Sequence, residues 1–122
     1  MILADTSVWI DHFRRRNSKV ADLLENGEVL IHPFVVGELA CGNLKNRKEI
    51  LDLLQELPAA TVAEQSEVLT LIDSQKLHGK GIGWIDAHLV ASALLSGAKL
   101  LTHDKALGKT ASELGVAIGH SH

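Results

Sequence analysis

Ile2-Leu3-Ala4-Asp5-Thr6-Ser7, followed by the segment Val8 to Arg16, sets a short apolar run against three small polar residues and then a stretch of helix length. A hydroxyl in Asp5-Thr6-Ser7 can cap that helix, so the opening reads strand, turn, helix. The same alternation continues outward. Lys19 to Asn26 carries Val20, Leu23 and Leu24 at helical spacing and stops at Gly27. Glu28-Val29-Leu30-Ile31 is the next strand, and His32-Pro33 opens a helix running to about Gly42-Asn43, proline being suited to a first turn. Lys45 to Leu57 continues helical ahead of Pro58, and Thr61-Val62 reads as a short strand. Ser66 is expected to cap a helix through Leu77, while Gly79, Gly81 and Gly83 make His78 to Gly83 a loop. Trp84 to Ser96 is a helix stopped by Gly97, Lys99 to Thr102 a strand, Lys105 to Leu114 a helix, and Val116-Ala117-Ile118 a last strand. Residues 119–122 read as an untethered tail. Parallel neighbours need helical crossovers, so the pattern predicts a three-layer α/β/α sandwich with a mainly parallel central sheet, one domain over residues 1–122.

Composition agrees with one core. A chain of 122 residues, 46% apolar and 22% charged, buries about two-thirds of its unfolded surface. That excludes disordered, collagenous and disulfide-scaffold classes. Its apolar runs are a few residues long, where a membrane span needs roughly 20. Met1-Ile2-Leu3 has no preceding basic segment and meets Asp5 too early for a signal-peptide core, which places the expectation in the cytoplasm. Cys41 stands alone, without partners for a disulfide or a thiolate metal site, and reads as a small helix-packing residue in a reducing compartment. A net charge of −3 is not that of a strong duplex binder, and four aromatic residues (Trp9, Phe13, Phe34, Trp84) leave little for a base-stacking platform.

In α/β folds ligands bind outside the carboxyl ends of the strands, where Asp5 and Asp104 fall. Two helices add carboxylates. At about 100° per residue, Asp86 lies between Leu89 and Val90 and near Ala93, inside the apolar stripe of its helix. His88 lies on the other side of that wheel and reads as a partly exposed or packing residue. Glu38, at the edge of the stripe made by Val35 and Leu39, is expected to be half-buried. An ionised carboxylate in an apolar setting costs several kcal/mol unless paired or coordinated, and no basic residue stands at a matching position. A bound cation fits better. If the four carboxylates converge, removing their charges from −3 leaves +1, so the remaining surface is slightly basic. Oxygen ligands without Cys or His select Mg2+ or Mn2+, ions that bind phosphates and support phosphodiester hydrolysis. Thr6, Ser7 and Thr102 supply hydroxyls to orient carboxylates or water.

Four segments carry a family resemblance: Ile2 to Asp11 (ILADTSVWID), Val36 to Leu39 (VGEL), Gly83 to Ala93 (GWIDAHLVASA) and Leu101 to Lys105 (LTHDK). In this order and spacing they resemble the PIN-domain ribonucleases, most closely the VapC toxins of bacterial toxin-antitoxin pairs. The resemblance spans nearly the whole chain. It implies a divalent-metal endoribonuclease acting on RNA, held inactive by a VapB-type antitoxin and usually paired with itself as a homodimer. It maps the metal site onto Asp5, Glu38, Asp86 and Asp104. Asp11 falls within the first motif but can pair with Arg15 at i+4 and is kept as a surface ion pair. An inhibitory antitoxin tail is expected to bring a cation to the four carboxylates and apolar residues to Trp9, Phe13 and Leu44. The competing readings are a non-toxin PIN nuclease in RNA processing and a phosphoacceptor receiver domain. The receiver needs adjacent acids after the first strand, where Thr6 follows Asp5, and a lysine after the last. A dehalogenase-type phosphatase needs a second Asp where Ser7 stands.

Overall fold

The computed structural model describes residues 1–118, and the expected tail at 119–122 lies outside the described residues. Three short parallel strands form the sheet: β1 (Ile2–Ala4), β2 (Val29–Leu30) and β3 (Lys99–Leu101), in the order β2-β1-β3. Leu3 of the central strand pairs with Leu30 on one side and Leu100 on the other. Single parallel bridges, Ile31 to Ala59 and Leu100 to Ala117, extend the sheet beyond β2 and β3.

Those bridges correct two expectations. Thr61-Val62 forms no strand: the chain meets the sheet earlier, where Ile31 N–H donates to Pro58 O at 2.9 Å and Ala60 N–H to Ile31 O at 2.9 Å. Beyond that contact Thr61 and Val62 are exposed, so no buried face holds them in the ladder. The strand expected over Val116 to Ile118 shrinks to the bridge at Ala117, with Leu100 N–H donating to Val116 O.

Among the described residues seven helices surround the sheet: α1 (Thr6–Arg15), α2 (Ser18–Glu25), α3 (Pro33–Cys41), α4 (Arg47–Gln55), α5 (Gln65–Ser74), α6 (Trp84–Ser96) and α7 (Lys105–Glu113). Successive strand residues face opposite sides of a sheet, and Leu3 and Ala4 are both buried, as are Val29 and Leu30. Both faces are therefore covered, which makes the sandwich three-layered. Each fully buried Leu or Val contributes about 1.5–3 kcal/mol, and Leu3, Val8, Val35, Leu39, Leu89, Val90 and Leu107 pack into one core around β1. α6 lies deepest. Ala87 to Ala93 are all buried, and the helix ends at Gly97, whose φ of 62° is the left-handed conformation glycine adopts without strain.

Local chemistry sets several helix starts. His32 caps α3 through Nδ1, which accepts the Phe34 N–H at 3.0 Å, with Pro33 in the first turn. α5 begins one residue before Ser66, so that hydroxyl is not its cap; Glu67 reaches back to the Glu64 N–H at 2.9 Å instead. Cys41, expected to pack, ends α3 in an exposed position because the chain turns away there toward α4. Among the described residues no helix is long and apolar enough to cross a membrane.

Candidate active site

Asp5 leaves β1 at the centre of the sheet and begins α1. Its carboxylate caps the helix, accepting the Val8 N–H at 3.1 Å, so the expected hydroxyl cap is a carboxylate. The hydroxyls serve the acids. Ser7 donates to Asp5 Oδ1 at 2.6 Å, and Thr102, just beyond β3, donates to Asp5 Oδ2. Asp5 is thus 6% exposed with three donors, all of them neutral. Its own N–H donates to Leu101 O at 3.0 Å, which fixes it against β3.

The turn after β3 is built into the same network. Asp104 N–H donates to Thr102 Oγ1 at 3.0 Å, and His103 N–H donates to Ser7 Oγ at 3.2 Å. Each hydroxyl therefore accepts from one backbone amide while donating to Asp5. Asp104 caps α7 by accepting the Leu107 N–H at 2.9 Å and is exposed. Glu38 lies on the second turn of α3, where its Oε1 accepts the Thr6 hydroxyl at 2.6 Å. It is exposed, not half-buried as its place on the helix wheel suggests, because the stripe of Val35 and Leu39 turns it toward the α1 N-terminus.

Asp86 occupies the first turn of α6, half-buried, with Oδ2 accepting the Gly83 N–H at 3.2 Å. Its carboxyl holds its proton above the usual carboxylate range. Burial is the largest cause, opposed by the Gly83 hydrogen bond and reinforced by the charges of Asp104, Asp5 and Glu38. Asp5, Glu38 and Asp104, the other three carboxylates anticipated from the sequence, thus all act on Asp86. Three of them, Asp5, Asp86 and Asp104, sit at helix N-termini, where free N–H groups and the macrodipole stabilise negative charge.

No basic side chain among the described residues completes the compensation. Among the described residues, the ion pairs within 4.0 Å join Arg15 and His103 to Asp11, Lys48 to Asp52 and Lys80 to Glu113, and none includes these four acids. Also among the described residues, no three Asp, Glu, His or Cys side chains close on one metal position. The carboxylates form an open rim rather than a cage. An all-oxygen rim suits Mg2+ or Mn2+, because Mg2+ takes one or two carboxylates and completes its octahedron with waters and substrate phosphate.

Two arrangements escaped the sequence reading. Asp11 pairs with Arg15 at 2.6 Å as expected, but its other oxygen faces His103 Nε2 at 3.5 Å, linking α1 to the Thr102–Asp104 turn. His88, expected on a partly exposed face or in packing, is 2% exposed, with its ring edge-to-face with Phe34 at 4.7 Å and Trp84 at 4.5 Å. His32 stands beside it, fully buried. Burial, with the nearby His88, pushes the His32 imidazole down to about 4. The His-Pro pair at a helix start was the only local signal for this group.

A three-layer α/β sandwich with acidic residues at the carboxyl edge of a parallel sheet defines a class, and the PIN domain family model matches residues 2–113. The chain belongs to the PIN domain family. Two relatives named Ribonuclease VapC32, from Mycobacterium tuberculosis strains CDC 1551 / Oshkosh and ATCC 25618 / H37Rv, are each 45% identical to it over 119 residues. The alignment covers 97% of this chain and 96% of each relative.

Proposed function

We propose that this chain is a divalent-metal endoribonuclease, the toxin of a VapBC-type toxin-antitoxin pair, and that it hydrolyses phosphodiester bonds of RNA in the cytoplasm. The observation that carries the reading is the match along 97% of the chain to proteins named as ribonucleases of VapC type. Asp5, Glu38, Asp86 and Asp104 would line the rim that takes Mg2+ or Mn2+, one or two of them coordinating it directly and the others acting through its waters. When bound, the ion polarises a phosphoryl oxygen and lowers the pKa of a water.

The protein's own groups prepare that site. Ser7 and Thr102 fix both oxygens of Asp5, so the buried carboxylate keeps one orientation, and Thr6 does the same for Glu38. Burial and three neighbouring carboxylates raise the proton affinity of Asp86, so protons compete with the cation there at low pH. The phosphodiester reaches the rim from solvent, because Glu38 and Asp104 are exposed.

A VapB-type antitoxin silences the enzyme by supplying a cation in place of the metal. Its apolar residues have a groove of about 470 Å³ between α1, α2 and α4, lined by Trp9, Phe13, Leu24, Ile50 and Leu53. Trp9 is buried and forms the floor, stacked on Phe13 at 5.8 Å. The chain works as a homodimer. A non-toxin PIN nuclease in RNA processing has no feature here in its favour.

Purified protein incubated with total RNA, with cut ends mapped, tests the proposal. Cleavage with Mg2+ or Mn2+ that stops with EDTA is expected. Full activity in metal-free buffer removes the metal, and no cleavage with either ion removes the nuclease. Calorimetric affinity for the antitoxin should fall as Mg2+ rises, since both neutralise the same carboxylates.

A further inference from the structure

Thr6, Ile10, Phe13 and Arg14 fall at i, i+4, i+7 and i+8 on α1, one continuous stripe of the helix. At one end Thr6 donates to Glu38. At the other, Arg14 lies about 12 Å further along the axis, at a rise of 1.5 Å per residue. A groove of about 670 Å³ runs beside the stripe, with Glu38 on its lining. Its far wall is the end of α3 and the connection into α4, which contribute Asn43, Lys45 and Asn46. Phe13, Leu39, Leu44 and Ile50 make the groove's apolar surface.

Both cations of this groove are free of acids. Among the described residues Arg14 and Lys45 have no carboxylate within ion-pair distance, whereas Arg15, Lys48 and Lys80 each have one. A chain of net charge −3 exerts no general attraction on RNA, so phosphate must be gripped locally. Amide side chains offer a donor and an acceptor together, which matches the edge of an unpaired base. A nucleotide brings an apolar face, a hydrogen-bonding edge and a phosphate in one unit. An apolar peptide helix would fill the same surface and leave two cations and two amides without partners.

We propose that this groove is a nucleotide subsite of the RNA strand. It seats one unpaired nucleotide beside the scissile bond, with a phosphate between Arg14 and Lys45, the base on the apolar surface, and Asn43 and Asn46 at its edge. The proposal rests on the nuclease reading above and adds where the strand lies and which residues set its sequence preference.

The full-length chain carrying Arg14→Gln, Lys45→Gln or Asn43→Ala is the test, with a single-stranded RNA oligonucleotide as probe. All three positions are exposed, so the fold is retained, which circular dichroism checks. Each cation variant raises KM roughly tenfold, as expected for a charge-assisted hydrogen bond, and leaves kcat nearly unchanged, the mark of lost uniform binding. In chelator, where no cutting occurs, the slope of log affinity against log salt becomes shallower by about 0.7 per cation removed. Asn43→Ala shifts the base preference at the mapped cut ends, which a merely structural residue would not do. Unchanged KM, salt slope and cut ends, with the wild type still cutting, overturn the subsite and leave the nuclease reading intact. Weakened antitoxin binding with unchanged RNA kinetics also overturns it, in favour of a protein partner. If the wild type binds RNA without cutting, the nuclease reading falls and the salt slope still decides the groove.

Discussion

Asp86 and His88 stand two residues apart on α6 and meet opposite surroundings. Asp86 feels three other carboxylates, and among the described residues no basic side chain pairs with any of them. His88 turns into Phe34 and Trp84 beside the buried His32, in an apolar setting that holds both imidazoles below their ordinary proton affinity. Among the described residues, both nitrogens of His88, Nε2 of His32 and Oγ of Ser92 lack hydrogen-bond partners. The difference separates two uses of titratable groups. On one side like charges are gathered and oriented by hydroxyls and helix N-termini, where each charge raises the cost of the next. On the other, burial keeps the groups neutral, and their contribution is packing.

The substitution that strikes this contrast hardest is Asp86→Asn, which keeps the shape and removes one charge. RNA cleavage should fall by orders of magnitude in the cut-end assay. Stability to urea without metal should hold or rise, since mutual repulsion is relieved. Wild-type cleavage by this variant would remove Asp86 from the site, and loss of folding would make its role structural.

Thr102→Val tests whether the hydroxyls matter to the carboxylate side. It takes the donor from Asp5 Oδ2 and the acceptor from the Asp104 N–H. Activity should drop about 10- to 100-fold, the range seen when the groups orienting metal ligands are lost, with roughly 1–2 kcal/mol of stability. Unchanged kinetics would reduce Thr102 to a turn residue.

The histidine side should answer to pH. The folded His32 pKa of about 4 lies below the ordinary 6.5, so its contribution is full above 6.5. Below that the unfolded chain takes up a proton the folded chain refuses, and stability falls as pH drops toward 4. From pH 7 to pH 5 the loss from this residue is roughly 2 kcal/mol in urea unfolding. His32→Asn keeps a cap acceptor for the Phe34 N–H without titrating in this range, and its stability curve should be flatter. An equally steep curve would assign the dependence elsewhere.

The smallest effect is expected away from both regions. Arg15 is exposed and pairs with Asp11 four residues earlier. Arg15→Ala should leave the urea midpoint unchanged within error, as most surface pairs do. A clear shift would show that the Asp11–His103 contact depends on Arg15 and that α1 is fastened to the β3–α7 turn more firmly than exposure suggests.

Much of this molecule is legible in order along the chain. Seven helical segments are visible from apolar spacing and from Gly27, Pro33 and Gly97, and α6 has the expected bounds. Asp5 and Asp104 follow from the rule that ligands gather at strand ends, and the structure puts both at that edge. Asp86 is half-buried as its helix wheel predicts, and of the two readings the wheel leaves for His88, partly exposed or packing, the second holds. From Ala87 to Ala93 the helix is buried all round, so no polar face exists for His88 to occupy. Glu38, expected half-buried, is exposed, because a position at the edge of a stripe can turn either way. The sheet edges at Ala59 and Ala117 are short contacts without a repeating pattern to announce them.

By itself the sequence determined the alternation of elements and the parallel sheet, because helical period, turn residues and helix stops act over a few neighbouring residues. Only the tertiary structure decided what surrounds the four acids. The Thr102 hydroxyl reaches Asp5 across 97 residues and Thr6 reaches Glu38 across 32. The meeting of His32 and His88 on the Phe34 ring and the placing of Arg14 and Lys45 along one groove are likewise products of packing. Which donors meet which acceptors depends on how helices dock on the sheet, and no local pattern carries that information.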